Sequence, residues 1–464
     1  MVNSSLHFRI LNIFLYNNKR YLYYILFIFV LSSLVCDYQI NAIDETNTND
    51  IFPISLSEKF NQHNDSRIIN YPNSNITNLT NNNEDSIYGQ IEAFENYVYV
   101  VWQESVTKSL PEHNYDIFFI KSEDKGKTFG MPINLSNNTE FSEHPQITVS
   151  KNGLFIIWAD TVNPNNKEIM FTKSLDNGKT FSKAINISNN SKNSYNQEIS
   201  ASDENVYVVW RESDQNIDDG NDSIMFKSSI DSGNTFNNSI ELINNTNDAF
   251  PKIKSYRNYV YIVSNNENKK NSGLFFVKSS DKGNNFDEII KLSDTSKSGE
   301  SQIAVNQNEV LVVWGGFLLK NISNIYYVKS NDNGSTFTDS KTIFEKTIDS
   351  NNAKEYNKFE EFINNPLNVE VTNNNLSYLV WQDTTIPSQN QDILLLLNNQ
   401  TNTNNTKLFN LSNNRSISEC PSIAISNNNI YVIWEDFILG NHEILFANIP
   451  VENIDHRKAL IKKF

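Results

Sequence analysis

The chain has 464 residues, a formal net charge of −16 and a pI of ≈ 4.9. This acidic balance excludes broad capture of nucleic-acid phosphates, which needs clustered basic surface. Two cysteines, Cys36 and Cys420, exclude a disulfide framework.

Residues 1–42 read as an export segment. Lys19 and Arg20 precede the apolar run Tyr21 to Val35, and Ala42 is a small residue suited to cleavage. The run is 15 residues long, short of the roughly 20 that span a bilayer. Two readings stand: a cleaved signal peptide, or an N-terminal membrane anchor that also uses the apolar stretch Phe8 to Tyr16. Cys36 does not fit a lipoprotein site, because Val35 stands where a small residue is needed. Residues 43–72 are polar and aperiodic and read as a tether.

Residues 73–450 are repetitive. Ser-x-Asp-x-Gly-x-Thr-Phe recurs at Ser122–Phe129, Ser174–Phe181, Ser229–Phe236, Ser279–Phe286 and Ser330–Phe337, with Asn285 replacing Thr in the fourth copy. The aspartates Asp124, Asp176, Asp231, Asp281 and Asp332 lie 52, 55, 50 and 51 residues apart. A strand ending in tryptophan also recurs, at Trp102, Trp158, Trp210, Trp314, Trp381 and Trp434, and Ser264 takes the tryptophan position in a seventh copy. A period near 50 with short β-branched and aromatic runs predicts an all-β, seven-bladed propeller of four-stranded antiparallel blades. The repeats override the multi-domain count that length alone would suggest.

Each unit reads as strands A to D, for example Pro145–Val149, Leu154–Trp158, Glu168–Lys173 and Ala184–Ile187. The eight-residue pattern fills the C–D turn, where its glycine suits a positive φ and its Asp and Ser/Thr side chains bond turn amides. The seventh unit lacks a strand D, and a matching segment, Ile76 to Asn81, lies at the other end of the chain. An N-terminal strand is therefore expected to complete the last blade and close the ring. The end of the chain, residues 451–464, is a basic tail with Arg457, Lys458, Lys462 and Lys463.

The eight-residue pattern matches the Asp-box, or BNR repeat, and the chain resembles the sialidase-like propeller superfamily over about residues 75–449. Its run of strand, Asp-box and Asn-Leu-Ser-Asn-Asn segments is most similar to exported repeat proteins of ammonia-oxidising archaea, often labelled exo-α-sialidase. The resemblance to sialidases implies three arginines clamping a substrate carboxylate, a Tyr–Glu nucleophile pair and an acid/base Asp. Arg257 lies in an A–B turn and Arg457 in the tail, which leaves Arg67, Arg211 and Arg415 as the only triad, with Glu212 beside Arg211. The Phe-Arg-Ile-Pro motif is absent from the first blade, and seven blades depart from the six typical of sialidases.

Antiparallel pairing puts the Asp-boxes on one face of the disc and the B–C and D–A loops on the other. A ligand is expected on the second face. There strand B ends in Trp-x-acid at Glu104, Asp160, Glu212, Asp383 and Asp436, and strand C begins near Asp116, Glu168, Asp222, Asp392 and Glu443. Such acids repel unless they bond amides, pair with Asn side chains or share a cation, for which oxygen clusters favour Ca2+. No other cofactor is implied, and the histidines show no zinc-binding spacing. Symmetry breaks fall at Arg211, Ser264, Gly315-Gly316 and an insertion from about Lys346 to Pro366. Arg211, Glu104, Asp160, Asp383 and Asp436 are the binding candidates.

The expected function is that of a secreted or cell-surface monomer binding glycans or envelope components. A sialidase-like or other glycoside hydrolase and a purely structural envelope protein are the alternatives. Many Asn-x-Ser/Thr sequons, among them Asn134, Asn186, Asn221, Asn321, Asn375 and Asn410, fit either glycosylation or chance in an Asn-rich chain.

Overall fold

The computed structural model describes residues 68–451 except 73–74, 107–113, 164–165, 214–221, 248, 267–271, 295–300, 320–321, 348–366, 373–375, 386–389, 400–406, 415 and 438–439. Seven antiparallel sheets form in sequence over residues 86–134, 142–186, 193–246, 252–293, 301–347, 367–410 and 418–450. They are the seven blades, and the strand A to D order holds in each. Among the described residues no helix is long and apolar enough to cross a membrane.

The B strands read as continuous β-branched and aromatic runs because both of their faces are covered. Val98 to Trp102 and Val206 to Trp210 are fully buried. Hydrophobic clusters form between blades rather than within them. Tyr99, Val101 and Phe119 of blade 1, for example, pack on Ile147, Ile156 and Trp158 of blade 2.

The eight-residue turns lock neighbouring blades together. In the first, Ser122 Oγ donates to Asp124 Oδ1 at 2.8 Å, and the Thr128 amide and hydroxyl donate to Asp124 at 2.9 and 2.7 Å. These bonds to the ionised form hold the Asp124 carboxyl down at about 2. Gly126 has φ 75°, and a Cβ there would lie 2.6 Å from Phe446 Cζ of blade 7. Phe129 meets that same Phe446 ring edge-on at 5.0 Å. In the degenerate fourth turn the Asn285 amide donates to Asp281 at 2.7 Å, the bond Thr makes elsewhere.

The ring closes as expected. Ile76–Asn78 pairs antiparallel with the last strand, Ile76 opposite Ala447 and Asn78 opposite Leu445. A further strand, Ile68–Asn70, lies within the segment read as a tether and pairs parallel with Lys407–Asn410 on the outer edge of blade 6. Tyr71 follows it into the core between blades 6 and 7, its hydroxyl donating to the Asn448 carbonyl at 2.9 Å. The structured chain therefore begins earlier than residue 73.

The A strands of successive blades ring a central channel of ≈ 110 Å³. Its wall includes Gln90, Gln146, Glu198, Lys252, Gln302, Asn368 and Ser422, one from each blade. That volume holds a few waters or an ion, well below the ~300 Å³ of a small-molecule pocket. Lys254 bonds Glu370 across the channel at 2.9 Å, and Lys252 bonds Glu198 at 2.5 Å. Burial pushes the nearby Glu92 carboxyl up to about 7, with Lys254 opposing and Glu370 adding to the shift.

Candidate functional site

The side of the disc opposite the eight-residue turns is built differently from simple strand alternation. In blades 1, 2, 3 and 7 a β-bulge interrupts strand A, between Ile87 and Gln90, Glu143 and Gln146, Tyr195 and Glu198, and Glu419 and Ser422. Each bulge carries a non-glycine residue at positive φ: Tyr88 at 54°, His144 at 51°, Asn196 at 53° and Cys420 at 51°. Bulges re-aim side chains, and such strained conformations concentrate at binding sites. Three of them are held by the preceding blade. Tyr88 N donates to Glu435 Oε1 at 2.6 Å, His144 N to Gln103 Oε1 at 2.8 Å and Cys420 N to Gln382 Oε1 at 3.3 Å.

These contacts assemble a rim across blades 7, 1 and 2. The Tyr88 ring, 40% exposed, lies 4.3 Å from the His144 ring. Burial of the hydroxyl, then the nearby Cys420 and carboxylates Glu435, Glu143 and Glu419, push the Tyr88 phenol up to about 12, so it stays a neutral donor. Glu435 is buried, and desolvation pushes its carboxyl up to about 8, against the Tyr88 amide and with the push of Glu419.

Three positions share one sheet face in the bulged blades 1, 2, 3 and 7: the residue before the bulge, the residue after the strand-B tryptophan, and a residue at the start of strand C. In blade 3 they are Tyr195, Arg211 and Asp222. Arg211 Nε donates to Asp222 at 2.7 Å, and its guanidinium lies 4.9 Å over the Tyr195 ring. In blade 2 they are Glu143, Ala159 and Lys167, where the ammonium pairs with Glu143. In blade 6 the amides of Gln382 and Gln391 bond at 2.6 Å. In blade 1 they are the uncharged Ile87, Gln103 and Tyr115. In blade 7 they are Glu419, Glu435 and His442, with ligand atoms within 4.8 Å of one another.

The acids singled out from the sequence occupy the opposite sheet face, inside the blades. Asp160 is buried and accepts from Trp158 Nε1 at 2.7 Å, Ser142 Oγ at 2.7 Å and Asn138 Nδ2 at 3.1 Å. Glu104 takes the same three donors from Trp102, Ser86 and Asn82, and Asp436 takes them from Trp434, Ser418 and Asn414. Glu212 accepts from Asn190 Nδ2 at 2.7 Å. Asp383 is buried opposite Asp392, which accepts from Asn410 and Ser412. Each arrangement pins the loop that enters strand A, so these carboxylates act within the scaffold rather than as a line of ligand contacts. Glu212 faces Ser223, not Asp222. Asp222 turns to the other sheet face to pair with Arg211.

Arg211 is buried and committed to Asp222 and Tyr195, which corrects its placement as a mouth residue available to a carboxylate. Arg67, Arg415 and most of the blade-six insertion lie outside the described residues. Residue counting missed Tyr88, His144 and Cys420 because each bulge inserts a residue and shifts the alternation. Glu435 had a visible signal, since Trp434-Glu435-Asp436 is the one Trp-x-acid unit with two consecutive acids.

No protein-family model and no curated protein matches the chain. Solved structures similar to it include Trypanosoma rangeli sialidase in complex with sialic acid, 10% identical with a TM-score of 0.49, covering 85% of this chain and 62% of that one. The intramolecular trans-sialidase of Ruminococcus gnavus is 11% identical with a TM-score of 0.47, over 80% and 95% of the two chains. A Dyadobacter fermentans protein of unknown function is 11% identical with a TM-score of 0.48, over 81% and 98%. The inhibitor-bound Trypanosoma rangeli sialidase is matched over 57% of its length. At these identities the likeness carries no argument about chemistry.

Proposed function

We propose that this chain is an exported, cell-surface propeller, acting as a monomer, that binds neutral, hydroxyl-rich glycans at the rim of blades 7, 1 and 2. The observation that carries this reading is the Tyr88–His144 ring pair, raised on two strained bulges and backed by carboxylates. Aromatic faces pack on the apolar faces of sugar rings, while carboxylates and the phenol exchange hydrogen bonds with their hydroxyls. The acidic surroundings disfavour a sugar that carries its own carboxylate, and the guanidinium of Arg211 is already engaged.

Calorimetric titration of the full chain against a panel of neutral and sialylated oligosaccharides tests this. Binding to a neutral member, weakened at least tenfold by Tyr88→Ala, is the expected result. Affinity unchanged by that substitution, or no binding across the panel, overturns it.

A second reading is glycoside hydrolysis, favoured by one observation: Glu419 and Glu435 bring carboxylate oxygens within 4.8 Å, near the roughly 5 Å separation of retaining glycosidases. Turnover of a fluorogenic glycoside panel that is lost in Glu419→Gln would establish it over binding alone.

A further inference from the structure

The blade-7 triplet stands apart from its counterparts. Where blade 2 answers Glu143 with the Lys167 ammonium, and blade 3 answers Asp222 with Arg211, blade 7 sets two carboxylates against an imidazole. Glu419 lies 3.9 Å from His442 Nε2, and Glu435 replaces the alanine of blade 2 beside them. Two of the three members, Glu419 and His442, reach solvent, while Glu435 is buried. Where blades 2 and 3 meet the acid at this position with a covalently held cation, blade 7 leaves that role to a mobile one.

We infer that Glu419, Glu435 and His442 form a binding site for a zinc-class divalent cation. One imidazole and two carboxylates are a three-ligand set that leaves one coordination position open. Ligands at about 2.0–2.2 Å from zinc require the three donor atoms to draw somewhat closer than their present 4.8 Å limit, a movement that the partly exposed Glu419 and His442 can supply by rotamer change.

The surroundings orient the donors as supporting groups do in metal sites. One Glu435 oxygen is held by the Tyr88 amide at 2.6 Å, and the carboxyl also bonds the Cys420 thiol. The His442 amide donates to Asp85 Oδ1 at 3.0 Å, and its ring meets Phe437 edge-on at 5.2 Å. The site shares Glu419 and Glu435 with the rim of the glycan reading, but its test reads the cation alone.

The test is titration of the tag-free, chelator-stripped full chain with Zn2+ by calorimetry, with metal content and thermal melting as second readouts and no glycan present. Wild type is expected to bind Zn2+ and to melt higher when loaded. His442→Gln and Glu419→Gln each weaken binding at least tenfold. The double variant Glu435→Ala/His442→Lys, which rebuilds the blade-2 triplet, loses this binding, and its apo melting temperature is measured alongside because Glu435 also accepts from the Tyr88 amide. Zn2+ affinity unchanged in these variants, or Ca2+ bound in preference to Zn2+, overturns the assignment.

Discussion

At the residue scale, one sheet position does different work in different blades. Arg211 shows the cost of that work most directly, because its partner Asp222 is as buried as it is. Arg211→Ala leaves an uncompensated carboxylate and is expected to destabilise the fold by about 3–5 kcal/mol. Urea unfolding monitored by tryptophan fluorescence measures this, and a loss under about 1 kcal/mol, the range of an exposed pair, would contradict the buried pairing. An inactive Arg211 variant is therefore ambiguous unless its stability is measured alongside.

At the element scale, the A strands serve as both channel wall and rim. Glu92 on the channel wall titrates at about 7, above its range in the unfolded chain near 4.3. Between those values the folded state holds a proton that the unfolded chain has released. The contribution of Glu92 to stability therefore falls as pH rises from about 4 to 7 and is level above that. Glu92→Gln removes this slope, so the variant gains stability relative to wild type as the pH is raised from 5 to 8. Lys254 and Glu370 face the same carboxylate and remain in both proteins. Chemical denaturation at the two pH values reads the difference, and equal differences at both would overturn the assignment of Glu92.

The same strands explain what was legible in the sequence and what was not. The eight-residue turns and the Trp-ending strands could be counted because each copy meets the same neighbours, so the same chemistry is required about every 50 residues. The Ile76–Asn78 closure was legible because it is a displaced copy of that pattern. Ile68–Asn70 was not, since three residues carry too little periodicity to separate an outer strand from a polar segment. Tyr88, His144 and Cys420 were hidden for a related reason: a bulge is an exception to alternation, and alternation was the only guide to which side chains face the mouth. Asp222, grouped in the sequence with the other acids near the start of strand C, lies on the opposite sheet face from them because it falls one residue out of register with strand B.

At the scale of the whole molecule, no disulfide supplements the packing among the described residues. Closure then rests on Ile76–Asn78 in blade 7 and on the core between blades 7 and 1, to which the first turn adds its contact with Phe446. Thr77→Pro sits in the short closing strand, where it removes an amide and restricts the backbone. It is expected to lower the melting temperature and to broaden the transition, because open-ended repeat arrays lose cooperativity between units. Calorimetry distinguishes the cases: a sharp, unshifted transition would show that the core between blades 7 and 1 holds the ring without the closing strand.

The clasp at Ile68–Asn78 also imposes an order in time. A ribosome delivers the chain from its N-terminus, so these strands emerge before the seven blades, while their partners at Lys407–Asn410 and Leu445–Ala447 emerge only after blades 1 to 5. Blades 1 to 5 can assemble on one another as they appear, yet the outer edges of blades 6 and 7 stay unfilled until the final segment arrives. A chain halted part-way through delivery therefore exposes two unpaired strand edges and two waiting strands, the state most open to pairing with another copy. Completion of the last turn of the chain is what converts a growing stack of sheets into a sealed ring.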